Sequence, residues 1–175
     1  MTPTAIARAL TLPRLEIGVF VATKWYSAED KAKFGNHLLR FIAAGYPRHL
    51  LTKAFYLTLA NHFGHIAHYS EHGFWDYYFT DERGKAEFLE DTLRYVVCGD
   101  PAYTFSDIEI AVQRRIYKSG ILDWQKRAGQ GETEAIERAL LKKLQAKYEP
   151  RAALPDASRP SEALSIPTVQ ADLFG

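Results

Sequence analysis

Apolar residues recur at three- and four-residue spacing along most of this chain, and that recurrence predicts helices. Ser27-Ala28-Glu29-Asp30 is a helix start, with a hydroxyl at the cap and acids in the first turn. Phe34, Leu38, Phe41 and Ile42 then share one face, and Gly45 followed by Pro47 stops the helix. The segment from about 48 to 62 carries Leu50, Leu51, Ala54, Phe55, Leu57 and Leu59, apolar nearly all round, which predicts a central buried helix. Residues 81–97 place Phe88, Leu89, Leu93, Val96 and Val97 on one stripe, and Gly99-Asp100-Pro101 breaks it. Ser106 and Glu109 have capping-box spacing and open a helix through Ile108, Val112 and Ile116 to Gly120. A last helix is expected from about 133 to 148 through Ile136, Leu140 and Leu144, with Pro150 after it. Residues 15–22 are too short for periodicity to separate strand from helix. The expected fold is all-α, a compact bundle of five or six helices.

Composition divides the chain near Tyr148. All three Trp and all ten Tyr lie at or before that point, whereas four of the eight Pro lie after it. Residues 149–175 have too little apolar surface to offset the entropy of ordering, and their prolines forbid a long helix. The sequence thus predicts a helical globular domain over 1–148 and a flexible, Pro-containing tail over 149–175. The tail holds two Arg against four acids, so the net charge of +1 for the whole chain conceals a basic body and an acidic tail. That balance excludes the globally cationic class of polyanion-binding proteins. Cys98 is the sole cysteine, which excludes a disulfide framework and predicts a small buried hydrophobe in a reducing compartment. No apolar run approaches the length of a membrane span and no signal-peptide pattern opens the chain, so a soluble cytoplasmic protein is expected.

The tail carries the most specific feature. Gln170-Ala171-Asp172-Leu173-Phe174 precedes Gly175, and adjacent Leu and Phe side chains in a flexible segment suit a partner's pocket. This pentapeptide resembles the motif by which bacterial replication and repair proteins bind the sliding clamp, the ring-shaped processivity factor of DNA polymerase III. The resemblance covers five or six residues and carries no implication for the fold of the body. It implies that Gln170 fills a polar subsite of the clamp groove, that Leu173 and Phe174 fill its hydrophobic pocket, and that Ala171 and Asp172 span between them. The strongest form of the motif has Leu where Ala171 stands, so a micromolar ligand is expected. A bacterial, phage or plasmid setting follows, with the body as either an accessory factor or an inhibitor of clamp traffic.

Other features point elsewhere. His62, His65, His68 and His72 fall within eleven residues, and on a helix His65, His68 and His72 share a face. Imidazoles at that spacing can chelate a divalent metal such as zinc, with Glu71 and Asp76 nearby, which would make the chain a metal-binding protein or metal-dependent enzyme. The alternative is a set of polar side chains in an aromatic-rich interface, and no H-E-x-x-H signature is present. The run Gly73–Phe79, GFWDYYF, is either core, a homodimer surface or a base-stacking platform. Arg114, Arg115 and Lys118 on one helix and Lys142, Lys143 and Lys147 on another could contact DNA phosphates, or could be solvated helix surface. No P-loop, dinucleotide-binding, nucleophile-elbow or paired acidic nuclease signature selects a reaction, so no catalytic residue is assigned.

Overall fold

The computed structural model describes residues 2–64 and 70–148. Seven α-helices and no strand make up those residues: α1 Pro3–Thr11, α2 Ala28–Ala43, α3 Lys53–His62, α4 Glu71–Tyr78, α5 Glu82–Arg94, α6 Ser106–Ser119 and α7 Ile121–Tyr148. The all-α class is therefore as the periodicity predicts. The chain divides into two units, Met1–Ile136 and Glu137–Gly175, so the division falls within α7. The expected tail, 149–175, lies outside the described residues.

In the first unit α2 is the centre, with α1, α6 and the 3-10 turn Ile17–Val19 packed on it. It starts where the sequence predicts, and the start closes as a capping box: Ser27 Oγ accepts Asp30 N at 3.0 Å and Asp30 Oδ2 accepts Ser27 N at 3.2 Å. Its stripe of Phe34, Leu38, Leu39, Phe41 and Ile42 meets Ile6 and Leu10 of α1 and Ile108, Val112 and Ile116 of α6. A side chain at Gly35 would collide with Ile108 and Leu15, so the bare glycine surface lets α6 lie close against α2.

The other part of the core is aromatic. Phe74, Tyr78 and Phe79 come from the Gly73–Phe79 run and join Phe41, Tyr46 and Phe88. Phe41 meets Phe79 edge-on at 5.3 Å, and Tyr46 stacks on Phe79 at 4.9 Å. The end of α2 delivers Tyr46 to this cluster. Tyr46 N donates to Phe41 O and Gly45 N to Ile42 O, both at 3.0 Å, the paired bonds of a Schellman stop. Gly45 at φ 78° takes the left-handed position without strain, but Tyr46 follows it at φ 61°, where a β-carbon is disfavoured by about 1–2 kcal/mol. Its buried ring contacts hold it there. Its hydroxyl is buried with no hydrogen-bond partner among the described residues, and burial pushes its pKa well above the ordinary tyrosine value.

Several boundaries differ from the sequence reading. Residues 17–19 form one 3-10 turn. The helix expected over 48–62 is a 3-10 turn at Arg48–Leu50 followed by α3, because the Thr52 side chain accepts Phe55 N and starts a new helix. α3 buries Phe55, Tyr56, Leu59 and His62 on one side, and Leu57 stands half exposed. α5 ends at Arg94, which leaves Val96 outside it and 79% exposed. The Ser106–Glu109 capping box does not form: Ser106 Oγ donates to Gly99 O instead, at 3.0 Å, and Phe105 holds the cap position. α7 starts twelve residues before expected, directly after the left-handed joint at Gly120 (φ 68°), and continues through Gly129 and Gly131.

Tyr46→Phe keeps the stacked ring and removes the orphaned hydroxyl. We expect stability to rise by about 1 kcal/mol, read as a higher urea midpoint with an unchanged slope. A loss of stability would mean that the hydroxyl has a partner in solution.

Candidate functional site

The structure distributes the sequence-derived candidates widely. Gln170, Ala171, Asp172, Leu173 and Phe174 lie outside the described residues, as do His65 and His68. His72 is exposed in the first turn of α4. Among the described residues no group of three or more His, Cys, Asp or Glu is arranged to hold a metal, and the zinc reading rests on the sequence alone. The Gly73–Phe79 run contributes Phe74, Tyr78 and Phe79 to the core, leaving Tyr77 exposed with its hydroxyl donating to Glu87. Cys98, expected to be buried, is exposed in the loop after α5, where Gly99 at φ 93° turns the chain.

The basic residues separate by role. Arg114 and Lys118 are exposed on α6. Arg115 turns inward instead, and its guanidinium donates to Ala9 O at 3.4 Å and Leu10 O at 3.3 Å. A cation on the last carbonyls of α1 is a helix cap, so Arg115 is a tie within the fold. Lys142, Lys143 and Lys147 are exposed on the 137–148 part of α7.

Sequence reasoning missed a second basic set. A groove of about 830 Å3 runs between α2 and the 11–17 segment, with Leu12, Leu15 and Ile17 on its apolar side and Arg14, Lys33 and Arg40 at its rim. The Asn36 side chain brackets Leu15, accepting its N–H at 2.9 Å and donating to its carbonyl at 3.0 Å, and so fixes the segment that carries Arg14. Lys33 is paired with Glu29 at 2.9 Å. The chemistry suits an anionic group attached to an apolar body. The signal was present in the spacing of Lys33, His37 and Arg40, which place one polar face on α2.

The strongest electrostatic perturbations are internal. Lys31 is fully buried, and its ammonium donates to Pro101 O at 3.0 Å, Thr104 O at 3.2 Å and Asp107 Oδ1 at 2.9 Å. Asp107 Oδ2 accepts Val21 N at 2.8 Å. Each ammonium proton therefore has an acceptor, the condition under which a buried charge is tolerated. Nearby, the His62 ring lies between Phe34 at 4.0 Å and Phe105 at 4.1 Å. Its Nδ1–H donates to Thr58 O at 2.7 Å, and Nε2 is buried without a partner among the described residues. Burial lowers its pKa to about 4, with the Lys31 charge adding to the depression and Thr58 opposing it. Glu109, also buried, moves the other way, to about 7, because burial and then the Asp107 charge disfavour its ionised form.

Comparison with known protein families, with curated proteins and with solved structures finds no match to this chain. No helix among the described residues is long and apolar enough to cross a membrane.

Lys31→Met leaves Asp107 and two carbonyls without their donor, and we expect a loss of about 3–5 kcal/mol in urea unfolding. A loss below about 1 kcal/mol would show that the ammonium is no net support. His62 and Glu109 set opposing pH dependences. Between pH 6.5 and about 4 the unfolded chain protonates His62 while the folded chain does not, so stability falls as pH drops. Between pH 4.5 and about 7 the folded chain retains a proton on Glu109 that the unfolded chain has released, so stability falls as pH rises. The two slopes offset each other in the overlap. His62→Phe should therefore leave a stability that declines from pH 4.5 to 7, and Glu109→Gln one that climbs from pH 4 to 6.5. Parallel profiles in the two variants would refute this account.

Proposed function

We propose that this chain is a sliding-clamp-binding protein of bacterial, phage or plasmid DNA replication or repair, docking by residues Gln170–Phe174. The observation that carries the reading is the pentapeptide itself: Gln, two short residues, then Leu-Phe, in a segment whose composition offers these side chains no core of their own. Burying Leu173 and Phe174 in a pocket contributes roughly 3–6 kcal/mol before costs. Ordering the peptide takes back several kcal/mol, so a micromolar complex, about −8 kcal/mol, also needs hydrogen bonds to Gln170 and to the peptide backbone. The segment acts as a tether that raises the concentration of the helical body at clamp-loaded DNA. Exposed cations on the body, Arg114, Lys118, Lys142 and Lys143, supply phosphate contacts suited to that location. The same reading places the protein in the cytoplasm. An accessory role and an inhibitory one share this docking step and differ in what the body then does.

Full-length protein should bind purified bacterial sliding clamp with a micromolar Kd by calorimetry or surface plasmon resonance. Leu173→Ala/Phe174→Ala should weaken binding at least about thirtyfold, and Gln170→Ala about three- to tenfold. Clamp binding that is absent, or that survives the double substitution unchanged, would overturn the proposal.

A further inference from the structure

The groove between α2 and the 11–17 segment lies wholly within the first unit, and its two walls differ. Glu29, Lys33, Asn36 and Arg40 share one face of α2 and make the polar wall. Glu29 and Arg40 are eleven positions apart, so this wall is about 16 Å long. The facing wall is apolar: Leu12 and Ile17 are each 52% exposed, and Leu15 is half-buried between them in sequence. An apolar wall left in solvent beside fixed charges favours a ligand that has both characters.

Charge is uneven along the groove. Glu29 is the one acid among the lining residues, and the Lys33 ammonium engages it at 2.9 Å, which leaves that end neutral. Asn36 holds Leu15 by both its N–H and its carbonyl, at 2.9 and 3.0 Å, which sets Arg14 beside the second half of α2. Arg40 stands one turn beyond Asn36. Neither guanidinium has an acidic partner among the described residues. The groove measures about 830 Å3, within the range of small-molecule sites. We infer that it binds a single-chain amphiphilic anion, an alkyl carboxylate or alkyl phosphate. The head accepts hydrogen bonds from Arg14 and Arg40, because guanidinium forks match carboxylate and phosphate oxygens. The chain runs past Leu15 to Ile17, toward the neutral Lys33–Glu29 end. A chain of roughly ten carbons covers most of that length at about 1.2 Å per bond. A cationic amphiphile would set like charges together, and a bare anion would leave the apolar wall in solvent. The inference uses no residue of the tail and stands apart from clamp binding.

The test is calorimetric titration of the full chain with decanoate and with decyl phosphate, each below its aggregation limit. We expect one site with a Kd between about 10 and 300 µM for at least one of the two. Arg14→Gln/Arg40→Gln should weaken it at least about tenfold, and Ile17→Ser about three- to tenfold. Lys53→Gln, a cation outside the groove, should leave it unchanged. Acetate, inorganic phosphate and decyltrimethylammonium should each bind at least about thirtyfold more weakly than the alkyl anion. In NMR spectra of the unsubstituted chain, the Asn36 side-chain amide signals should shift as the alkyl anion is added, which locates the site without any substitution. Absence of binding up to about 1 mM overturns the proposal. So does binding that survives the double arginine substitution, that decyltrimethylammonium matches, or that leaves the Asn36 amide unmoved.

Discussion

The buried ammonium of Lys31 dictates how the loop before α6 meets α2. A lysine removed from water needs three acceptors, and α2 cannot supply them because its own carbonyls are committed to the helix. Two therefore come from the carbonyls of Pro101 and Thr104 and the third from Asp107. Meeting that demand bends the 99–107 loop over α2, and the bend explains the start of α6. Ser106 serves Gly99 O inside the loop and is lost to helix capping. Asp107 reaches back to Val21 N and so also fixes the segment before α2. Phe105, carried by the same loop, covers one face of His62.

α6 then acts as a carbonyl binder for its neighbours. Arg115 takes the last carbonyls of α1, and the Gln113 side chain donates at 2.9 Å to both Thr92 O and Tyr95 O at the end of α5. Two helices with neither Gly nor Asn as a stop are thus terminated from outside, by side chains of a third. α2 ends differently, on its own Gly45. The price is Tyr46 in a left-handed conformation with an unsatisfied hydroxyl, held by its contacts with Phe41, Phe79 and Phe88. Aromatic packing here tolerates a strain of a few kcal/mol that an aliphatic patch of the same area would support less well.

Local signals in the sequence decide the structure where the chain answers to its nearest neighbours. The Ser27 helix start, the Phe34–Ile42 stripe, the Gly45 stop and the Gly120 break each join residues within nine consecutive positions. The missed features depend on distant partners. Lys31 stands three residues before Phe34 on the apolar face of α2, yet its acceptors lie some seventy residues away. Arg115 reads as surface until α1 is placed beside it, and Ser106 reads as a cap until Gly99 is. The early part of α7 carries Gly129 and Gly131, whose low helix propensity argues locally against the helix that forms there. Of the candidate residues, Gln170–Phe174 rest on the sequence alone, since a linear motif needs no fold. The basic groove at Arg14, Lys33 and Arg40 needs residues from two segments that Asn36 helps to bring together.

The internal polar groups and the surface features serve different ends. The displaced pKa values of His62, Glu109 and Tyr46 all trace first to burial, and Lys31 has every proton engaged. Lys31 and Asp107 tie α2 to α6, whereas Tyr46 belongs to the aromatic cluster with Phe79 and Phe88. The surface features have the opposite character: exposed apolar side chains on α7, among the described residues, and cations around the groove on α2. Apolar area left in water is unfavourable at roughly 25 cal/mol per Å2, so a protein that retains several such areas gains when partners cover them.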